Sequence, residues 1–351
     1  MWYIWGRFDE ASVRTDDHAM KQRGFTLIEW LIAMVIGVFL LGGVLSIFVA
    51  SRSTSEDSFD QSELQENGRL AMRLIAQDLK WAGFWGDYTG MPMQLNVGVT
   101  ATTGAVVTSA KDCLDERGEG SLPSTSAPLR GLWAVNVDSN KLTTGNAFSC
   151  IASANRVANS DIISIKRLMG FPLADSALSA NRFYMATTPQ SAIIFRGNET
   201  PPTNTAMPNR QLWEYQHYIY HIADNNGVPE LHKRMLTAND GSWDISGALA
   251  QGIEKITLLY GVDTSPVQDG RIDKYVAINS VASNEWNEGR VIAARLFILV
   301  RSLQASNKYV NNNTYQVGNI QVPSNGDGFR RLLLETSIAL RNPAAVAGGG
   351  K

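Results

Sequence analysis

The sequence predicts an α+β protein in which one long N-terminal helix packs on a β-rich globular head, so that the molecule is lollipop-shaped. Residues 25–50 form an apolar run whose only charge is Glu29. Apolar residues then recur at helical spacing as far as residue 82. Beyond residue 160 the chain carries short β-branched runs between polar turns, a pattern typical of strands.

The apolar run is long enough to cross a membrane. Residues 30–50 carry no charge and would reach roughly 31 Å as a helix, which covers the hydrocarbon core of a bilayer. Lys21 and Arg23 precede the run and acids follow it, which predicts a cytoplasmic N-terminus and a periplasmic head. A secretory signal peptide fits less well, because its apolar core spans only about 7–15 residues. A plain single-span anchor is the other alternative.

The next segment, residues 51–83, predicts an amphipathic continuation of the same helix. No proline occurs before residue 92, and Gly83 is a reasonable stop signal. The apolar stripe that would pack on the head consists of Leu64, Ala71, Ile75, Leu79 and Ala82, widened by Leu70, Leu74 and Trp81.

Four glycines interrupt this helix, namely Gly37, Gly42, Gly43 and Gly68. Each could weaken the helix by about 1 kcal/mol relative to alanine. Each could equally be a position where two helices pack closely in a membrane.

The head, residues 84–343, is predicted to contain strands and long polar loops. The predicted loops are 89–130, 199–210 and 304–328, and the Ala/Gly-rich tail 344–351 is predicted to be disordered. A hairpin is predicted at 217–235 around the turn 224–227. The other predicted strands are 160–167, 191–196, 253–260, 275–279, 291–301 and 332–340.

Composition restricts the partners and the redox environment. The 31 basic and 33 acidic residues provide no basic field, so no nucleic acid is expected as a partner. The two cysteines, Cys113 and Cys150, both follow the apolar run. A disulfide between them would stabilise the head by roughly 3–4 kcal/mol, while two unpaired thiols are the alternative.

Catalytic chemistry has little support in the sequence, which predicts no enzyme, no cofactor and no metal. No serine-hydrolase elbow, P-loop or zinc motif occurs. A metal site at His217, His221 and His232 is imaginable, but same-face positions in a sheet explain them more simply. Asp263, Asp269 and Asp273 resemble a calcium loop only in composition, so a solvated hairpin loop is favoured.

The start of the apolar run resembles the type IV prepilin signature, in which Arg23-Gly24 is followed by Phe25-Thr26-Leu27-Ile28-Glu29. The resemblance implies that a prepilin peptidase cleaves between Gly24 and Phe25 and that the new amine of Phe25 is methylated. It also implies that Glu29 pairs with the terminal amine of a neighbouring subunit, a contact of about 4 kcal/mol before desolvation. Read alone, Glu29 could also be a tolerated interfacial acid with no task.

Several further segments resemble the PilW family of minor pilins. They are residues 64–71, 77–79, 82–84, 260–264 and 340–342. The resemblance implies a pilin-like fold and a low-abundance pilus subunit that helps to initiate assembly at or near the tip. It implies the inner membrane, the prepilin peptidase, other minor pilins, the major pilin and a tip adhesin as partners, and final localisation in the pilus.

Residues 1–24 would be the leader, although residues 1–19 fit no leader because they are acidic and aromatic. We interpret Met20 as the translation start, which leaves a five-residue leader with the charges Lys21 and Arg23. Alternative functions are a minor pseudopilin of a type II secretion system, which the pattern in residues 260–342 disfavours, and a pilin-anchored adhesin or DNA-binding module.

Overall fold

A computed structural model describes residues 24–89, 92–114, 120–239 and 241–342. Residues 1–23 of the predicted leader, including Lys21 and Arg23, and the predicted disordered tail 344–351 lie outside these residues. The chain divides into two compact units between Asp57 and Ser58, and this boundary falls inside the first helix. The α+β class is confirmed, with one long apolar N-terminal helix and a head made mainly of strands.

The long helix α1 spans Leu27–Trp81, close to the predicted range 25–82. Gly83 follows it with a φ of 71°, a left-handed conformation that ends a helix at little cost for glycine. A short helix α2 spans Ser283–Asn287. The strands are β1 Val99–Ala101, β2 Leu132–Asn136, β3 Asp161–Leu168, β4 Phe183–Thr187, β5 Ala192–Arg196, β6 Gln211–Asn225, β7 Val228–Leu236, β8 Trp243–Ile245, β9 Ala250–Gln251, β10 Ile253–Val262, β11 Lys274–Val276, β12 Val291–Arg301, β13 Thr314–Val317, β14 Ile320–Pro323 and β15 Arg331–Ala339.

The strands form two main sheets. A nine-stranded sheet has the order β1-β5-β4-β6-β3-β2, and β7 extends it from β6 with β8 and β9 on its far side. A four-stranded antiparallel sheet has the order β11-β10-β12-β15, and β13 and β14 form a separate hairpin. The main core contains the inner face of α1 from Leu64 to Ala82 and side chains of both large sheets, so the C-terminal half of the helix lies against both sheets.

The predicted hairpin is confirmed and is longer than expected. Strands β6 and β7 pair from Tyr218 with Met235 to Asn225 with Val228, which leaves a two-residue turn. Asn226 and Gly227 both have positive φ, as this hairpin turn requires. The first half of β6, before the predicted start, pairs with β4, a strand that the sequence did not predict.

Several sequence predictions are corrected by the structure. The predicted loops 89–130 and 304–328 contain β1 and the hairpin β13–β14. The predicted strand 275–279 is shorter, since β11 ends at Val276 and a 3₁₀ turn covers Ile278–Ser280. Leu70 does not widen the packed stripe of α1, because its side chain is exposed on another side of the helix. Trp81 is partly exposed and packs edge-to-face on Phe84.

Candidate functional site

The first turn of α1 is closed by a reciprocal cap between Thr26 and Glu29. The Glu29 carboxylate accepts hydrogen bonds from the Thr26 backbone N–H at 2.9 Å and from the Thr26 hydroxyl at 3.0 Å. The Glu29 N–H in turn donates to the Thr26 hydroxyl at 3.3 Å. This is a capping box, which satisfies N–H groups that the helix itself cannot pair.

Gly24 and Phe25 lie directly before this cap, in exposed and non-helical backbone. Both residues that flank this bond are therefore accessible to solvent. The side chain of Phe25 is also exposed, as are nearly all large apolar side chains of α1 as far as Val49. This part of α1 is long and apolar enough to cross a membrane.

A second site links the C-terminal half of α1 to the nine-stranded sheet through the carboxylate of Asp78. Asp78 is buried and accepts a bond from Lys233 Nζ on β7 at 2.8 Å. The same oxygen, Oδ2, accepts a bond from the Tyr220 hydroxyl on β6 at 2.6 Å, and the other oxygen, Oδ1, accepts one from Arg167 on β3 at 3.1 Å. Side chains from three strands therefore contact the carboxylate of one residue of α1.

The surroundings of Asp78 shift the pKa of two of its partners. Burial lowers the pKa of Lys233, and the attraction of Asp78 offsets this only in part. Burial, together with the charge of Asp78, raises the pKa of the Tyr220 hydroxyl well above its ordinary value. Lys233 also lies 3.5 Å from the centre of the Tyr218 ring, a favourable cation–π contact. The Tyr220 hydroxyl therefore keeps its proton at neutral pH, which is the state that donates to Asp78.

The end of α1 is also held by backbone contacts. The Gly83 N–H donates to the Lys166 carbonyl at 2.9 Å, and the Asn342 side chain donates to the Ala82 carbonyl at 3.1 Å. A Cβ at Gly131 would lie 2.2 Å from the Gly83 nitrogen, so only glycine permits this approach. The segment at 340–342 that the sequence singled out thus meets the helix terminus.

The structure joins Cys113 and Cys150 in a disulfide with a Cα–Cα distance of 4.9 Å. Its loops pack into a small buried cluster with Phe148, Ile151 and Ile219. The Arg234 side chain donates to the Cys150 carbonyl at 3.0 Å, which ties this loop to β7.

The three head histidines do not converge on one point. His217 is fully buried and its Nε2 lies 2.8 Å from the Ser164 hydroxyl, while His221 and His232 pair across β6 and β7. Burial and the charge of Lys166 lower the pKa of His217, and burial with the charges of Arg234 and His232 lowers the pKa of His221 to about 3. Within the described ranges, no group of three His, Cys, Asp or Glu side chains could hold a metal ion.

The predicted solvated loop around Gly270 is organised differently from the expectation. Asp263 is buried and accepts backbone N–H bonds from Ser265, Asp269 and Gly270, each at 3.0 Å. Burial alone would raise the pKa of Asp263, but these donors outweigh it and lower the pKa. The Asp263 carboxylate therefore holds the loop in shape.

Comparison with known families matches two parts of the chain. Residues 19–45 match the prokaryotic N-terminal methylation motif, and residues 219–342 match the family described as type IV pilus-assembly protein W. These two segments of the chain are thus similar to type IV pilin-like proteins. The segment that matches the PilW family runs from the middle of β6 through β15 to Asn342, so it contains the whole four-stranded sheet.

Two individual proteins are similar to different shares of the chain. The pilin-like protein PilA3 of Thermus thermophilus is 36% identical over 68 residues, which are 19% of this chain and 29% of that protein. This chain thus spans under a third of that relative's length. The type IV-like pilin TTHA1219 from Thermus thermophilus is 10% identical over 80% of this chain and 97% of its own, with a TM-score of 0.33.

The sequence patterns did not single out the cluster around Asp78. Asp78 lies in segment 77–79, which resembles the PilW family. Its partners Arg167 and Lys233 lie 89 and 155 residues further along the chain. One signal was available, since the position of Asp78 lies among the inward-facing residues of α1 beside Ile75 and Leu79. A carboxylate on a buried face requires a partner of opposite charge.

Proposed function

We propose that the protein is a minor pilin that prepilin peptidase processes and that helps to initiate type IV pilus assembly at or near the pilus tip. The bond between Gly24 and Phe25 carries this proposal. It lies in exposed, non-helical backbone immediately before the Thr26–Glu29 cap and a 55-residue helix that begins with an apolar half. A peptidase needs such an accessible bond, and an assembled subunit needs an intact helix behind it.

Glu29 is proposed as the pairing residue, acting on the methylated amine of Phe25 in a neighbouring subunit. Its carboxylate is exposed at the helix start, so a cation from another chain could approach it. The inner membrane, the prepilin peptidase, other minor pilins, the major pilin and a tip adhesin are the proposed partners. No catalytic role is proposed, because the family matched over residues 219–342 is described as a pilus-assembly protein.

The head is proposed to be periplasmic before assembly and exposed on the pilus afterwards. The disulfide between Cys113 and Cys150 supports this, because disulfides persist in oxidising compartments such as the periplasm. The PilW-family match over residues 219–342 favours a pilus over a type II secretion system.

The decisive experiment is N-terminal mass spectrometry of the protein from cells with and without prepilin peptidase. The expected mature chain begins with N-methylated Phe25 and appears only when the peptidase is present. An unprocessed N-terminus in both strains would refute the proposal. Gly24→Val provides the matched control, since a β-branched side chain at the cleaved bond should block processing without touching the helix.

The assembly role needs a second measurement. Deletion of the gene should reduce the number of pili per cell, and an epitope-tagged copy should label pilus ends in immunogold micrographs. Uniform labelling along the filament would contradict a tip position.

A further inference from the structure

A polar cavity lies in the head, apart from both sites described above. It has a volume of about 150 Å³ and is lined by residues in or beside β2, β3, β10, the 3₁₀ turn after β11 and the turn between β13 and β14. Both main sheets and the separate hairpin therefore contribute to its wall. Among the described residues, none of α1 and none of the Asp78 cluster lines it. The cavity is larger than the space that one buried water molecule needs.

Asp161 supplies the cavity with a buried carboxylate. The residue is 4% exposed, and its two oxygens accept bonds from the Asn136 amide at 2.9 Å and from the Leu258 N–H at 2.7 Å. In the described part of the head, no lysine, arginine or histidine forms an ion pair with it. Burial raises the pKa of Asp161 to about 6, so the carboxylate is mostly charged at neutral pH. A buried charge without a counter-ion is costly, and a cation from outside the chain would relieve that cost.

Four asparagines line the same cavity, namely Asn136, Asn159, Asn279 and Asn319. Each brings an amide carbonyl oxygen, which is a neutral hydrogen-bond acceptor. Asn136 already uses its amide NH₂ group to hold Asp161. The other three asparagines are exposed at the rim. The cavity thus combines one negative charge with several neutral acceptors.

We propose that this cavity binds a primary ammonium group at the end of an alkyl chain, with Asp161 as its counter-ion. An ammonium group carries one positive charge and three N–H donors. Its charge matches the single carboxylate, and its donors match one carboxylate oxygen and two asparagine carbonyls. Ile278 and Ile320 also line the cavity and are half-buried, so they provide an apolar surface for the methylene groups of the chain.

Other cations match the lining less well. A calcium ion would keep an uncompensated positive charge beside a single carboxylate, and its affinity depends on the number of charged ligands. Within the described ranges, no group of three His, Cys, Asp or Glu side chains could hold a metal ion. A guanidinium group prefers a bidentate contact with both oxygens of a carboxylate. Both oxygens of Asp161 already accept bonds from the chain itself.

Titration of the full-length chain in detergent with n-butylamine tests the proposal. The melting temperature is followed by tryptophan fluorescence at neutral pH and constant ionic strength, in a buffer without primary amines. The expected result is a saturable rise, because a ligand that binds only the folded chain stabilises it. Two controls should give no such rise: n-butanol has the same chain length without the charge, and tetramethylammonium has the charge without N–H donors.

Two variants locate the binding. Asp161→Asn should abolish the response to n-butylamine. The double change Asn279→Ala with Asn319→Ala should raise the dissociation constant about tenfold, which corresponds to the loss of one hydrogen bond to a charged group. Both rim asparagines are exposed and have ordinary φ values, so this variant should fold even if Asp161→Asn does not. Asn140→Ala is the matched control, because Asn140 is exposed and does not line the cavity.

A free alkylamine and a lysine side chain of another protein present the same group, and a further ligand separates them. This ligand is lysine with an acetylated amine and an amidated carboxyl group, which carries peptide groups beside its side chain. Tighter binding of the blocked lysine than of n-butylamine would identify a lysine of a protein partner as the source. Binding that is equal or weaker would identify a free alkylamine.

Several outcomes would overturn the proposal. The absence of a response to both n-butylamine and the blocked lysine would remove the site. An unchanged response in the double rim variant would place the binding elsewhere. An equal response to n-butanol or tetramethylammonium, or a larger response to calcium chloride, would refute the choice of an ammonium group. Because the purified chain is used, none of these outcomes depends on processing or on pilus assembly.

Discussion

The carboxylate of Asp78 on α1 and the ammonium group of Lys233 on β7 form a partly buried ion pair of 2.8 Å across 155 residues of sequence. Arg167 contacts the other oxygen of the same carboxylate at 3.1 Å. The pair therefore holds the C-terminal half of the helix to the head at one point, with two cations sharing one anion.

Replacement of Asp78 by asparagine should destabilise the folded head by about 3 kcal/mol, because it leaves two partly buried cations without their anion. Denaturant unfolding of the full-length chain in detergent, followed by tryptophan fluorescence, measures the loss. Glu66→Gln is the control, since Glu66 is also an acid of α1 but is exposed. Equal stability of Asp78→Asn and the wild type would contradict the importance of the pair.

A side chain at Gly68 should separate the helix from the four-stranded sheet. An added Cβ would lie 2.6 Å from Leu334 Cδ1 and 2.9 Å from Val300 Cγ2. Gly68→Val should therefore cost about 1–3 kcal/mol of unfolding free energy through overpacking. Gly42→Ala is the comparison, because a Cβ there meets nothing within 4 Å. A neutral Gly68→Val would mean that the helix can shift on the sheet.

Removal of the disulfide by the double change Cys113→Ser and Cys150→Ser should destabilise the head by roughly 3–4 kcal/mol. The reason is that the disulfide closes an interval of 37 residues, which restricts the unfolded chain. Reduction of the wild type with dithiothreitol should reproduce this loss and should leave the double variant unchanged. A reductant effect of similar size on both proteins would contradict the explanation.

Glu29→Ala should still be cleaved and yet assemble poorly. The bond after Gly24 stays exposed, but both the cap and the proposed pairing group are lost. Thr26→Ala separates these two roles, because it removes the capping hydroxyl and costs the helix about 1 kcal/mol while the carboxylate remains. Counting pili by electron microscopy should show a much larger defect for Glu29→Ala. Equal defects would assign Glu29 to capping alone.

Asp161 should give the head a distinct pH dependence. Burial raises the pKa of Asp161 to about 6, although the Leu258 N–H and the Asn136 side chain donate to it. The stability that this group contributes is therefore complete below its unfolded pKa, near 4, and is lost as the pH rises through about 6. The wild type should gain stability relative to Asp161→Asn when the pH falls from 7 to 5.

The comparison with Asp161→Asn isolates this effect. His217 and His221 have lowered pKa values and work in the opposite direction, because the unfolded chain takes up their protons first on acidification. Their contribution is the same in both proteins and cancels in the difference. A pH-independent difference between the two unfolding free energies would show that Asp161 does not titrate in this range.

Local signals predicted the strongly periodic elements of the fold. Strand β12 was predicted with its observed bounds, Val291–Arg301, because eleven mainly apolar residues end between charged and polar neighbours. Helix α1 was predicted within a few residues of its observed bounds because its apolar residues recur at helical spacing and no proline interrupts it. Strand β4 was missed, since all five of its residues are buried and show no alternation.

The sequence patterns could not predict contacts between residues that are far apart in the chain. Leu70 is an apolar residue of an amphipathic helix, and only the position of the head shows that its side chain is exposed. The partners of Asp78 depend on which strands the helix crosses, which no periodicity specifies. The exposed site at residues 24–29 was recognised because all of its signals are adjacent in the chain.

The cap at the start of α1 makes the proposed assembly contact of Glu29 an exchange of partners. Its carboxylate already accepts two hydrogen bonds from Thr26 within its own chain. An amine from a neighbour would compete with these bonds, so the contact contributes only the difference between the two states. A weaker cation would leave Glu29 with Thr26, and incorrect neighbours would thereby be rejected at the first turn of the helix.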